Sequence, residues 1–268
     1  MALARADLES LLRSRQLDRT LTTTLPPPDP VAAGDDTVAA TGITSLDAHL
    51  GGGFPRGQVS ELIGPRSSGR TSLLLQALAA ATSRGELTAV VDVLDMFDVE
   101  SATAAGVDLT RLLWIRGHVV MNPGMCRDLN QRAIEQTLRA FALVLQAGNF
   151  GLVVLDATDA PADAIRRLPF TTWLRLQRMV EGSTTACLLI GAEPMARSAA
   201  GLTLRLRIGD QGLGVGGGQG ISDGQRKTTG RFTDRLFDGL EVRATVMRAR
   251  TSRHLEQSVQ FATRASYA

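Results

Sequence analysis

The sequence predicts an α/β protein: a mostly parallel sheet flanked by helices, with antiparallel strands near the C-terminus and a separate N-terminal helix. Three observations predict it. Short apolar runs alternate with stretches of helical period between about residues 59 and 190. A glycine-bracketed segment, Gly64-Pro65-Arg66-Ser67-Ser68-Gly69-Arg70-Thr71, separates the first of these runs from the first of these helices. Beyond residue 200 the texture changes to apolar–polar alternation, the pattern of half-exposed strands.

In chain order, residues 3–17 read as a short helix with Leu8, Leu11 and Leu12 on one stripe, a candidate partner-binding surface. That stripe could dock on a neighbouring subunit, on its own core or on a partner protein. Residues 1–24 thus form an N-terminal helical unit. Pro26-Pro27-Pro28-Asp29-Pro30 lacks amide donors and fixes φ, so residues 25–37 read as a Pro-rich linker leading to a core domain, 38–268. In the core, Val59–Ile63 is a strand, 70–83 a helix and Thr88–Val93 a buried strand. Leu112–Ile115 is a further short strand, and Arg127–Ala147 is a long helix carrying Ile134, Leu138, Phe141 and Leu145 at helical spacing. Gly151–Asp156 is a strand ending in a carboxylate, followed by helix 163–181 and strand Ala186–Ile190. Thr203–Ile208 and Glu241–Met247 alternate as half-exposed strands. Between them, 209–224 holds eight glycines in sixteen positions and reads as a flexible Gly-rich loop. The G-x-G-x-x-G at Gly212, Gly214 and Gly217 precedes no helix and carries no phosphate-site reading.

Composition narrows the function classes. The 268 residues are 44% hydrophobic and 21% charged with a formal net charge of +2, which supports a sizeable core and excludes wholesale disorder. No run of 18 apolar residues occurs, which excludes a membrane-spanning helix and a membrane partner. The start, with Arg5, Asp7 and Glu9 among its leucines, does not read as a secretory signal, so the expectation is a cytoplasmic protein. Cys126 and Cys187 are too few for a disulfide framework or a metal cluster, and His49, His118 and His254 are far apart, so no metal site is predicted. Of the 29 basic residues only Lys227 is a lysine. Residues 201–268 hold eleven basic side chains against six acidic ones, a hint of an acidic partner.

The segment 64–71 fits the phosphate-loop pattern G-x-x-x-x-G-K-[ST], except that Arg70 stands where lysine belongs. Glycines allow close approach, backbone N–H groups form an anion nest, and the helix N-terminus adds positive potential. Gly64, Ser67, Ser68, Gly69, Arg70 and Thr71 are therefore the candidate nucleotide-binding residues. Thr71 is the candidate Mg²⁺ ligand, and Asp156, ending its strand, is the carboxylate partner. ATP and Mg²⁺ are the cofactors this pattern admits. Guanidinium is larger, planar and forked where ammonium is compact, so the exchange at Arg70 is not conservative and argues for impaired turnover.

Thr41-Gly42-Ile43-Thr44-Ser45-Leu46-Asp47, Leu50 to Val59, Glu61 to Gly69, Ala89-Val90-Val91-Asp92 with Asp98, and Ala105 to Leu109 resemble the front of a RecA-like P-loop NTPase core. The resemblance implies an ATPase with a catalytic glutamate two residues after the position of Asp92. Leu94 stands there, with Asp95 one step on. It also implies a phosphate-sensing glutamine after strand 186–190, where this chain has Gly191-Ala192-Glu193-Pro194. No residue is assigned as catalytic.

With these losses, its short length and its N-terminal helix, the chain is similar to the ImuA (RecA/SulA-like) translesion-synthesis accessory proteins. That resemblance implies a role in SOS-induced mutagenic DNA repair. It implies as partners an ImuB-like inactive relative of the Y-family polymerases, an error-prone C-family polymerase and RecA, with DNA bound through its backbone. The DNA-binding candidates are Arg205, Arg207, Arg226, Lys227 and Arg231, with Arg243, Arg248 and Arg250 beside them. No aromatic ladder accompanies them, so base stacking is not implied. Two alternatives remain open. One is an active DNA-dependent RecA-type ATPase in which Arg70 clamps phosphate and Asp95 or Glu61 positions water. The other is a regulator that caps RecA filaments with the N-terminal helix.

Overall fold

The computed structural model describes residues 37–117, 127–214, 239–249 and 258–264. Outside the described residues lie the N-terminal helix with Leu8, Leu11 and Leu12, the linker up to residue 36, and Arg226, Lys227, Arg231 and Arg250.

The chain begins with β1 (Val38–Ala39), α1 (Thr44–Leu50), β2 (Phe54–Pro55), β3 (Val59–Ile63) and α2 (Arg70–Ser83). It continues through β4 (Thr88–Asp92), α3 (Val99–Ala104), β5 (Leu112–Arg116), α4 (Arg127–Ala147) and β6 (Leu152–Asp156). Then come α5 (Ala162–Arg166), α6 (Phe170–Val180), β7 (Ala186–Gly191), β8 (Leu202–Gly214), β9 (Gly239–Ala249) and β10 (Ser258–Arg264). Eight strands form one sheet in the order β10-β9-β8-β3-β7-β6-β4-β5. From β8 to β5 the neighbours are parallel, and β9 and β10 add antiparallel pairs at one edge. The expected α/β architecture is therefore present.

Its cause is side-chain alternation along strands buried on both faces. On one face Leu62, Val90, Val154, Leu188 and Leu204 pack with Leu74 and Leu78 of α2. On the other, Val91, Val153, Leu155 and Leu189 pack with Ile134, Leu138 and Phe141 of α4 and Trp173 and Leu176 of α6. Cys187 belongs to the second layer, where burial pushes its thiol far above the ordinary range, so it acts as a small apolar core residue. Among the described residues no helix is long and apolar enough to cross a membrane.

Two local expectations are corrected. Helix 163–181 is two helices, α5 and α6, because Pro169 has no amide to donate and caps α6. Residues 209–214, read as loop, continue β8, with Leu213 opposite Leu240 and Gly214 opposite Gly239 after a register shift. Trp114 is half-buried, lying 5.7 Å from the Phe97 ring and 4.8 Å from the Arg116 guanidinium carbon.

The segment before the phosphate loop is a structural brace. Asp47 of α1 accepts from the Thr41 amide at 2.8 Å. Gly53 (φ +136) lets the chain pass directly against the Ala39 carbonyl, which leaves no room for a Cβ and permits the β1–β2 pairing. Arg56 ties the lower edge of the sheet: it donates to the carbonyls of Val38 (3.1 Å), Gly151 (3.0 Å) and Thr184 (2.8 Å) and pairs with Glu86 at 2.6 Å.

Candidate functional site

The loop 64–71 leaves the C-terminal end of β3 and opens α2, a fourteen-residue helix whose N-cap is Gly69. Two of its residues adopt left-handed backbone, Ser67 at φ +59 and Gly69 at φ +91. Both glycines are also required by space. A Cβ on Gly64 would meet the Leu206 carbonyl and Ser68 Oγ at 2.6 Å, and one on Gly69 would meet Val242 Cγ2 at 2.5 Å. β8 and β9 thus press the loop into shape from behind. Ser68 is 1% exposed and its Oγ has no hydrogen-bond partner among the described residues. A buried hydroxyl at a helix N-terminus, beside free first-turn amides, is a donor set awaiting an anion.

Arg70 is 4% exposed, although it is a cation. Its Nη1 donates to the Thr158 carbonyl at 3.5 Å, a long bond and the one hydrogen bond it makes among the described residues. Burial pulls the guanidinium below its ordinary value, while Asp159 and then Asp156 act against that shift. The side chain therefore reaches from the loop toward the turn that follows β6. Asp159 also pairs with Arg66 at 3.0 Å, so the loop and that turn are bridged at their rim as well.

Asp156 ends β6 beside this cation. Its Oδ1 accepts from the Thr158 amide (3.0 Å) and from the Thr158 hydroxyl, an Asx turn. Burial raises its carboxyl above the ordinary range; the Thr158 hydrogen bonds oppose that shift, Asp92 adds to it and Arg70 again opposes it. Thr71, Asp92, Leu94, Asp156, Thr158 and Asp159 line a cavity of about 390 Å³ in front of the loop. The residues that would hold Mg²⁺ here are Thr71 and Asp156, which line this cavity together, and Asp156 Oδ2 accepts no hydrogen bond among the described residues. Asp156 Oδ1 is already shared by two donors, and the Arg70 cation sits within electrostatic reach. Among the described residues, no group of three His, Cys, Asp or Glu side chains could hold a metal ion. Thr158 and Asp159 were not singled out from the sequence; the Asp-x-Thr spacing of an Asx turn was the signal available.

Asp92, Asp95 and Glu61 are each committed to other partners. Asp92, 2% exposed, accepts from the amides of Leu94 (3.1 Å) and Phe97 (2.7 Å) and shapes the turn after β4. That turn puts Leu94 on the cavity wall. Asp95, at φ +59, is held by Arg116 through bonds of 2.6 and 2.7 Å. Glu61 is 1% exposed and accepts from the amides of Met195 and Ala196, each at 2.6 Å, and from the Thr203 hydroxyl at 2.9 Å. The suggestion that Glu61 positions water is therefore corrected: it points into the β3–β8 side of the sheet and serves as a structural acceptor.

Arg205 and Arg207 stand on β8 beside the loop and line a recess of about 490 Å³ with Gly64, Pro65, Glu193 and Ile208. Arg207 lies directly opposite Arg243 in the antiparallel β8–β9 register. Like charges facing each other across strands repel, and Arg243 has a further interaction of its own. Arg166 pairs with Glu193 at 3.2 Å and Arg248 donates to the Arg197 carbonyl at 2.8 Å, so both have protein partners.

A strand–glycine loop–helix at the carboxyl edge of a parallel sheet, facing a strand-end aspartate, defines the class of P-loop α/β proteins. Within that class, residues 33–163 match the RecA N-terminal domain. RecA of Chlorobaculum parvum is 37% identical over 134 residues, covering 47% of this chain and 35% of that protein. RecA of Bordetella pertussis is 38% identical over 127 residues, covering 47% of this chain and 32% of that protein. The chain thus spans about a third of the curated relatives it matches. The crystal structure of the RadB recombinase covers 84% of this chain and 96% of its own, with a TM-score of 0.55 and 19% identity, which shows the shared fold. The chain has a RecA/RadB-like α/β fold.

Proposed function

We propose that this chain is a RecA-like accessory protein of mutagenic translesion DNA synthesis, similar to the ImuA proteins, whose phosphate loop holds ligand without driving turnover. One observation carries the reading: Leu94 occupies the cavity wall where a base is needed, while Asp95 and Glu61 are tied by Arg116 and by the 195–203 segment. A base must reach the proton of the attacking water, and an alkyl side chain cannot. In this reading the partners are an ImuB-like inactive Y-family polymerase relative, RecA, and DNA held through phosphates by Arg205, Arg207 and their neighbours.

A steady-state ATPase assay of the whole chain, with and without single-stranded DNA, tests it. The expected result is no DNA-stimulated hydrolysis above background. DNA-stimulated turnover at the rate of a working recombinase would overturn the reading in favour of a RecA-type ATPase.

A further inference from the structure

We propose that a cavity at the end of β3 remote from the loop 64–71 is a second binding site, one that takes a guanidinium or primary ammonium group carried on an aliphatic stem. It shares no residue with the phosphate loop, so either site can fail without the other. The cavity has a volume of about 670 Å³ and is framed by the segment entering β3, the C-terminal end of α6 and the residues just before β8.

This cavity offers a ligand acceptors. Gln58 Oε1 is buried and has no hydrogen-bond partner among the described residues. It sits 2.2 Å from where a Cβ on Gly201 would stand, so the glycine makes room for it. A buried amide oxygen left unpaired costs free energy that an incoming donor recovers. Glu181 directly follows α6, is exposed, and forms no ion pair among the described residues. Its carboxylate adds to the partial negative charge of that helix end. The basic side chain on the wall, Arg56, is already spent. Its side chain is 12% exposed, and its fork is taken by the carbonyls of Val38, Gly151 and Thr184 and by Glu86. An anion would therefore meet the Glu181 carboxylate with Arg56 engaged elsewhere. A cation finds a carboxylate, an unpaired oxygen and a helix C-terminus together. Pro55 and Ala199 make part of the wall apolar, which suits a methylene stem.

The arginine and lysine side chains of a partner polypeptide share this chemistry with free polyamines. Titrations of the isotopically labelled whole chain, followed by backbone amide NMR shifts, test the site. The probes are spermidine, a blocked Gly-Arg-Gly peptide and the same peptide with citrulline in place of arginine. The expected result is saturable shifts centred on residues 57–59, 181–183 and 201 with at least one of the two cations, and none with the citrulline peptide. Binding of the peptide alone assigns the site to a partner's side chain; binding of spermidine alone assigns it to a polyamine. Binding of both shows that the cationic head and its stem suffice. Glu181→Gln and Gln58→Leu should each weaken the bound probe about tenfold. Because Glu181 is exposed, the first variant keeps the test decisive even if the second does not fold. No saturable shift with either cation, equal binding of the citrulline peptide, or unchanged affinity in Glu181→Gln would overturn the proposal.

Discussion

Asp92 and Asp156 stand opposite one another in the parallel register of β4 and β6, two carboxylates at the ends of neighbouring strands. Asp92 is occupied by the amides of Leu94 and Phe97, whereas Asp156 is raised by burial and, less strongly, by Asp92. A carboxyl whose folded pKa exceeds its unfolded value holds its proton more tightly in the native state. Its stabilising contribution is complete below the unfolded value, about pH 4, and is lost as pH rises through the folded value. Asp156→Asn keeps an acceptor for Thr158 and removes the charge. We expect the variant to melt higher than wild type at neutral pH, with the gap closing as the pH falls to about 4. Asp98 and Asp108 are lowered by hydrogen bonds from Ser101 and Thr110 and give the opposite slope, so the difference between variant and wild type is the informative quantity. Thermal melts across this range, with a gap independent of pH, would refute the assignment.

Glu61 yields a sharper stability prediction. Its two oxygens satisfy two amides and a hydroxyl in a buried setting. Truncation in Glu61→Ala leaves those donors unpaired, at a cost of about 3–5 kcal/mol. Glu61→Gln retains one carbonyl oxygen for the amides and is expected to lose about 1–2 kcal/mol. Urea denaturation of the two variants should show this ranking. Equal midpoints would mean that the carboxylate is not the brace.

Arg56 joins segments remote in sequence. Its guanidinium meets carbonyls from β1, from residue 151 and from residue 184, and its ion pair with Glu86 is largely shielded from water. Arg56→Ala should cost about 2–4 kcal/mol. Arg56→Lys should recover little of that, because an ammonium cannot span the fork. Denaturant midpoints of both variants check the claim.

How much of this was legible in the sequence follows from the range of the interactions. Val59–Ile63, helix 70–83 and helix Arg127–Ala147 are found with the bounds that periodicity predicts, because a buried strand or an amphipathic helix writes its own pattern. β1 and β2 are two residues each, too short to show a period. The break at Pro169 was available in the sequence, but the apolar spacing on either side masked it. The loop 64–71 is legible through its glycines, and the structure places it between β3 and α2 as read. The fate of Arg70, Glu61 and Arg56 is not, since their partners lie 88, up to 142 and up to 128 residues away and only the folded sheet brings them together.

The loop geometry itself is testable through Gly69. Its φ of +91 disfavours any L side chain, and Val242 of β9 occupies the space a Cβ needs. Gly69→Ala should therefore lose about 2–4 kcal/mol, combining backbone strain with overpacking. A control at Gly182, where φ is +75 but nothing lies within 4 Å, should lose only the strain component, about 1–2 kcal/mol. Chemical denaturation of the pair separates the two costs; equal losses would mean that β9 does not press on the loop.

Arg205 and Arg207 carry the prediction for nucleic acid. If they neutralise phosphates, each contact releases counterions, and affinity falls steeply as salt rises. The double variant Arg205→Ala/Arg207→Ala should weaken binding to single-stranded DNA without regard to sequence. It should also flatten the slope of log affinity against log salt by about 1.4, close to 0.7 for each phosphate contact on a single strand. Fluorescence anisotropy over a salt series measures both quantities. A loss of affinity with an unchanged slope would point to a folding defect in β8, where Leu204 and Leu206 between and beside the two arginines are fully buried. An unchanged slope together with unchanged affinity would remove these two residues from the DNA-contact surface and leave their recess beside Gly64 and Pro65 to another anion.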